Sequence, residues 1–136
     1  MTSANTDVDK VREYLLELDL SIDKEDHDDT FFVVSDEENG VKNLVIDCAD
    51  PLVILEQLIM SGLDNISGAF CKSLLQINRT LVHGAFVLDE TGSKLLFRDT
   101  LRLATLDLDE LEGSISALSL ALAENSNTLL EHAPAA

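Results

Sequence analysis

Residues 64–103 read DNISGAFCKSLLQINRTLVHGAFVLDETGSKLLFRDTLRL, and the spacing of their apolar residues changes part-way along. Between Asp64 and Leu81, the residues Ile66, Phe70, Leu74, Ile77 and Leu81 recur at steps of four, four, three and four, which sets them on one side of a 3.6-residue spiral. An amphipathic helix is expected there. Cys71 and Leu75 fall on an adjacent face, giving more apolar surface than packing on one sheet requires, so they are candidates for contact with a second subunit or a partner. From Lys94 to Leu103 the period is two. Leu95, Phe97, Leu101 and Leu103 share one face with Asp99 among them, while Leu96, Arg98, Thr100 and Arg102 share the other. Ala85-Phe86-Val87-Leu88 precedes this strand across the turn Asp89 to Ser93, where Gly92 can supply a positive φ, so the pair reads as a β-hairpin. With the first face as core, Leu96, Arg98 and Arg102 are left on a candidate interaction face.

The chain has 136 residues, the size of one domain, and such a chain can remove roughly 68% of its unfolded surface from water without disulfides or metals. Its net charge is −17 with nine basic residues, a field that repels phosphate backbones and anionic lipid. Nucleic acid and membrane surfaces are therefore excluded as expected partners. Fifteen of the 26 acids precede residue 51, a solvated acidic shell that reads first as a source of solubility and, as a docking surface, suits basic or amphipathic segments. Cys48 and Cys71 stand in no metal or redox spacing and read as buried reduced thiols. The polar, acidic stretch Thr2 to Lys10 is no signal peptide, and no apolar run approaches the ~18 residues of a membrane span. A cytoplasmic location is the expectation.

Residues 1–6 are expected to fray. Asp7 is a candidate N-cap for a first helix in which Val8, Val11, Leu15 and Leu18 form the buried stripe, ending near Leu20. The run Asp23-Lys24-Glu25-Asp26-His27-Asp28-Asp29 reads as an exposed loop, and it lacks the glycine and glutamate positions of a calcium loop. Phe31-Phe32-Val33-Val34 and Val41 to Asp47 flank Asn39-Gly40, the strongest hairpin signal in the chain. After Asp50-Pro51, the period of Leu52 to Met60 does not separate helix from strand: proline suits a helix start, while Val53-Ile54-Leu55 and Ile59-Met60 suit a strand. A last helix is expected from the cap Asp107, with Glu110 at capping-box spacing and Leu106 stapling onto Leu111. Its stripe runs through Leu108, Leu111, Ile115, Leu118, Leu122 and Leu129 to Leu130, widened by Leu120 and Ala121. The tail from residue 131 is expected to fray.

Enzyme chemistry finds no foothold. His27, His83 and His132 lie in an acidic loop, a pre-strand turn and a tail, with no nucleophile elbow and no His-Glu pair at metal spacing. The six glycines form no phosphate-cradling loop, and no two carboxylates are paired in an apolar setting that could raise a pKa. Asn65-Ile66-Ser67 and Asn78-Arg79-Thr80 match the glycosylation sequon but fall within the expected helix. No catalytic, metal or cofactor residues are assigned.

These elements give a single α+β domain over residues 1–136, with an antiparallel sheet of about five strands and three helices. The stretches Leu74-Leu75-Gln76-Ile77-Asn78-Arg79-Thr80-Leu81, Gly84 to Asp89, Lys94 to Leu103 and Leu106 to Leu111 resemble the type III secretion chaperone-like superfamily, which includes the CesT/Tir chaperones and YbjN-like proteins. They look like that family's helix ending in Leu-Leu-x-x-Asn, its two following strands and its final helix. The resemblance implies the order α-β-β-β-α-β-β-α, which makes Leu52 to Met60 a strand. It also implies a non-catalytic homodimer that holds a non-globular segment of another protein. Residues His83 to Glu90 also resemble a YjfI-like family of unknown function.

Overall fold

The computed structural model describes residues 3–26, 28 and 30–134, with side chains from Thr6 onward. His27 and Asp29 of the acidic run, Met1 and Thr2 of the lead-in, and Ala135 and Ala136 of the tail lie outside the described residues. The element order is α1 (Ser3–Glu17), β1 (Ser21–Asp26), β2 (Phe31–Asp36), a 3-10 turn (Glu37–Asn39), β3 (Val41–Ala49), β4 (Leu52–Met60), α2 (Gly68–Asn78), β5 (Ala85–Leu88), β6 (Leu95–Arg102), α3 (Leu108–Glu124) and α4 (Ser126–Glu131). The strands form one antiparallel sheet in the order β1-β2-β3-β4-β6-β5.

The α+β class and the strand at residues 52–60 are as expected. Two elements are new. Residues 21–26 form an edge strand on β2 where an exposed loop is expected, because an edge needs only one paired side and tolerates charge. The last helix breaks at Asn125, whose side-chain Nδ2 donates back to the carbonyl of Ala121 at 2.9 Å. The following run Ser126-Asn127-Thr128 is rich in side chains that compete with helical backbone bonds.

Helix boundaries shift for local reasons. α1 begins at Ser3 rather than after Asp7 and ends at Glu17, where Leu18 and Asp19 turn the chain with Asp19 at φ +60°. α2 starts at Gly68 instead of Asp64, because the Ser67 hydroxyl accepts from the Phe70 amide at 3.1 Å and supplies the N-cap. The α3 cap is as read: Asp107 accepts from the Glu110 amide at 2.8 Å. The β2–β3 hairpin closes through the 3-10 turn with Gly40 at φ +78°, and Gly92 takes φ +74° in the β5–β6 turn.

One core lies between one sheet face and the helices. Val8, Val11 and Leu15 of α1, Phe70 and Leu74 of α2, Leu111, Ile115 and Leu118 of α3, and Leu129 of α4 meet Phe32, Val34, Leu44, Ile46, Val53, Leu55, Phe86, Leu95 and Phe97. Ala121 belongs to this core, whereas Leu120, expected to widen the stripe, is exposed. Asp99, the polar residue on the inward face of β6, accepts a hydrogen bond of 2.7 Å from the buried Ser114 hydroxyl. Gln57 points inward as well, donating to the Gly40 carbonyl and accepting from the Lys42 amide, each at 3.0 Å, which ties the β2–β3 turn to β4. Both polar groups thus stay satisfied within an apolar layer.

Candidate protein-binding surface

All the helices that contribute to the core pack on one side, so the other face of the sheet carries no covering layer among the described residues. Strand alternation dictates what stands on it. Register pairs across the sheet set Phe31 beside Asp47, Val33 beside Val45, Asp47 beside Ile54, Val45 beside Glu56, Glu56 beside Arg98, and Leu58 beside Leu96. Val45, Ile54, Leu58 and Leu96, with Asn43, Asp47, Glu56 and Arg98, line a shallow groove of about 370 Å³. Leu58 is 50% exposed and Val45 38%, large for β-strand residues of this type.

The charges on this face nearly balance. Lys24, Arg98 and Arg102 stand against Asp23, which binds the Ser35 hydroxyl, Asp26, Asp47 and Glu56, so these positions sum to −1 in a chain of net −17. Arg98 donates to Glu56 across the β4–β6 pair at 2.9 Å, an exposed bridge worth about 0–1 kcal/mol. Lys24 lies 5.6 Å over the Phe31 ring, so its alkyl stem covers apolar surface at the β1 end. A nearly neutral, apolar strip therefore runs across the sheet while most of the acidity is carried elsewhere.

The residues singled out from sequence divide between two surfaces. Leu96, Arg98 and Arg102 are on the open sheet face, with Arg102 opposite Leu52. Cys71 and Leu75 are on α2, which packs near β5. Leu75 is 72% exposed and Cys71 half-buried. Cys48 is buried, and removal from water pushes its thiol pKa up to about 12, with the charges of Asp47 and Asp7 adding to the shift. Sequence reasoning missed Val33, Val45, Ile54 and Leu58, because strands of nearly continuous apolar residues do not reveal which face is covered.

His83 comes closer to other polar groups than its turn position suggests. Its Nδ1 is 3.7 Å from Asp99 Oδ2, the oxygen that Ser114 also holds. The serine hydroxyl donates its hydrogen bond to the carboxylate rather than to the imidazole, so the trio lacks the order of a nucleophile relay. No group of three metal-ligating side chains gathers among the described residues. No helix among them is long and apolar enough to cross a membrane.

The CesT_Tir_1 family model matches residues 4–135. The chain belongs to that family. Among solved structures, the fold is similar to E. coli YbjN, with a TM-score of 0.64 and 17% identity over 88% of this chain and 91% of the other. A chain of the HopA1–SchA chaperone–effector complex matches with a TM-score of 0.55 and 14% identity, over 90% of this chain and 96% of that one. The heterodimeric ExoU–SpcU complex of the Pseudomonas aeruginosa type III secretion system matches with a TM-score of 0.53 and 17% identity, covering 62% of this chain and 72% of that one. At these identities the likeness is one of fold. No curated protein matches by sequence.

Proposed function

We propose that this CesT_Tir_1 family member is a non-catalytic, chaperone-like adaptor in which the open sheet face holds an extended or amphipathic segment of a partner protein. The observation that carries this reading is the strip Val33-Val45-Ile54-Leu58-Leu96, which is apolar, uncovered and flanked by charges that nearly balance within a chain of net −17. Apolar contact supplies most of the affinity of such a surface, while the surrounding acidity speeds the approach of a basic flank and repels an acidic one. That fold neighbours include chaperone–effector complexes supports the same reading.

The test is affinity capture from native extract with the wild-type chain and with Val45→Glu/Leu96→Glu, a pair of exposed-face changes that leave the core untouched. A polypeptide retained by the first and lost by the second is expected. Equal retention by both would move binding off this face.

A second reading, a structural or regulatory homodimeric subunit, draws on the other side of the molecule. Leu75 at 72%, Val82 at 89% and Leu120 at 58% exposure are apolar residues of the helical side, and Val82 and Leu120 line a common groove. Light scattering separates the two readings. A dimer lost on Leu75→Glu, with capture unchanged, assigns the helical surface to self-association and leaves the sheet face to the partner. A mass near 14.9 kDa at tens of micromolar protein removes the dimer.

A further inference from the structure

We propose that the Glu56–Arg98 ion pair is the specificity element of the open sheet face, selecting a partner helix whose apolar stripe is interrupted by one carboxamide side chain, glutamine or asparagine. The inference rests on the partner-binding reading above and names the chemistry of the segment held. The pair stands inside the apolar strip, not at its rim. Along β4, Glu56 lies between Ile54 and Leu58, each two residues away and so on the same face, and across the sheet it is opposite Val45. On β6, Leu96 is the neighbour of Arg98 on that face.

The sheet decides the backbone form of what can cover it. β4 is bonded to β3 on one side and β6 on the other, and β6 is bonded to β4 and β5, so the ladder beneath the strip is spent sideways. An extended segment laid on this face would bury its own amides and carbonyls against Val45, Ile54 and Leu58 with nothing to bond them. A helix bonds its backbone internally and offers side chains alone. The spacings match as well, because residues two apart on a strand are separated by about 6.8 Å and residues four apart on a helix rise by about 6.0 Å. A helix lying along β4 therefore sets one side chain over Ile54, the residue four later over the ion pair, and the next turn over Leu58 and Leu96.

Covering the pair takes water from groups that need it. Arg98 Nη1 donates to Glu56 Oε2 at 2.9 Å, and among the described residues this is the only side-chain hydrogen bond that either residue makes. The side chains of Glu56 and Arg98 are 33% and 45% exposed, so Glu56 Oε1 and the other guanidinium N–H groups have water to turn to while the face is open. An apolar residue placed over them would leave an acceptor and several donors unmet, and a charged one would bury a third charge with no counter-charge. A carboxamide meets both needs at once: its NH2 group donates to Glu56 Oε1 and its oxygen accepts from Arg98. A hydroxyl carries its donor and acceptor on one atom, whereas the ion pair presents its acceptor and donors on two separate side chains.

The probes are two helical lysine–alanine peptides with leucine four residues before, and three and four residues after, a central position. That position holds glutamine in one peptide and, in the other, methionine, which has similar length and no donor. Each is titrated into the isotope-labelled wild-type chain, Glu56→Val/Arg98→Val and the charge-swapped Glu56→Arg/Arg98→Glu, with amide shifts read by NMR. On the wild type the glutamine peptide is expected to bind about tenfold more tightly, the factor set by one unmade hydrogen bond to a charged group, with shifts centred on Ile54, Leu58 and Leu96. The valine pair is expected to abolish or reverse that preference. The swap keeps a donor and an acceptor with their places exchanged, and a carboxamide can turn to match, so the preference is expected to remain. Equal binding of the two peptides by the wild type, with shifts at the same residues, overturns the selector and leaves the partner-binding reading standing. A glutamine preference that survives in the valine pair overturns it too, as does one lost in a folded swap. No shift at Ile54, Leu58 and Leu96 with either peptide overturns the helix as occupant, and the capture experiment then decides the partner-binding reading by itself. The wild-type comparison needs neither variant to fold.

Discussion

Gly84 and Phe97 should be energetically coupled, and a double-mutant cycle on this pair tests how β5 is seated. Gly84 has φ +75°, and a Cβ added there would lie 2.5 Å from Cε1 and Cζ of Phe97 and 3.1 Å from the Arg98 carbonyl oxygen. Carbon atoms prefer about 3.5–4.0 Å, so the phenyl ring must move before an alanine fits. It has little room: Phe97 is buried and meets Phe86 edge-on, with centroids 5.4 Å apart and planes at 84°. Gly84→Ala therefore carries a left-handed backbone strain of about 1–2 kcal/mol and an overpacking cost of about 1–3 kcal/mol. Phe97→Ala alone should cost about 3–5 kcal/mol. With the ring gone, only the backbone strain of Gly84→Ala and its contact with the Arg98 carbonyl persist, so the double variant should be more stable than additivity predicts by roughly 1–3 kcal/mol. Urea unfolding of the four chains measures this, and Phe97→Leu serves if Phe97→Ala leaves too little folded protein. A Gly84→Ala cost that is the same with and without the ring would refute the packing described for β5.

Three further outcomes are expected. Arg102→Ala, on the open face of β6, should change unfolding free energy by less than about 0.5 kcal/mol, and a large loss would show that the faces of β6 are reversed. Hydrogen bonds from the Ser35 hydroxyl at 2.6 Å and the Ser21 hydroxyl at 2.8 Å hold the Asp23 carboxyl below its usual pKa. A carboxylate depressed on folding contributes stability above its unfolded pKa of about 3.9 and loses it as pH falls through the lower folded value, so Ser35→Ala should raise the Asp23 titration midpoint seen by NMR. Cys48, buried and with its pKa pushed up to about 12, should resist a thiol reagent at pH 8 in the folded chain and react once urea unfolds it. Labelling of Cys48 at the rate of a free thiol under native conditions would contradict its burial.

The parts of the fold that were legible from sequence are those whose signal is local. The period-two alternation of Leu95 to Leu103 named the covered face of β6, and the structure buries Leu95, Phe97 and Leu103. Asp107 and Glu110 marked the start of α3 because a cap is a contact within one turn. Strand β1 was not legible: Ser21-Ile22-Asp23-Lys24-Glu25-Asp26 has one apolar residue, and only pairing with β2 makes it a strand. The start of α2 is not marked by periodicity for a related reason, since Ile66 keeps the helical spacing while lying outside the helix and packing against the same core. Of the proposed interaction face, Leu96, Arg98 and Arg102 are nameable from the hairpin. Val45, Ile54 and Leu58 are not, because nothing in β3 or β4 by itself says that the helices cover only one side.

The missed strand also bears on what the open face can bind. β1 extends the sheet beyond β2 and brings Lys24 over Phe31 at that end, so the apolar strip has a basic residue at each flank: Lys24 at one side, and Arg98 and Arg102 on β6 at the other. Asp47 and Glu56 stand between them, with Asp47 paired to Phe31 and Ile54 and Glu56 bound to Arg98, while Asp23 and Asp26 sit beside Lys24 on β1. A bound segment therefore meets alternating charge locally and a strongly negative molecule at a distance. Those two scales act on different steps. The distant field governs encounter and is screened by salt, whereas the desolvated apolar strip governs how long the segment stays. Raising ionic strength should then slow the association of a basic-flanked segment while leaving its dissociation rate nearly constant. A dissociation rate that rises steeply with salt would mean that ion pairs, and not the strip from Val33 to Leu96, hold the segment in place.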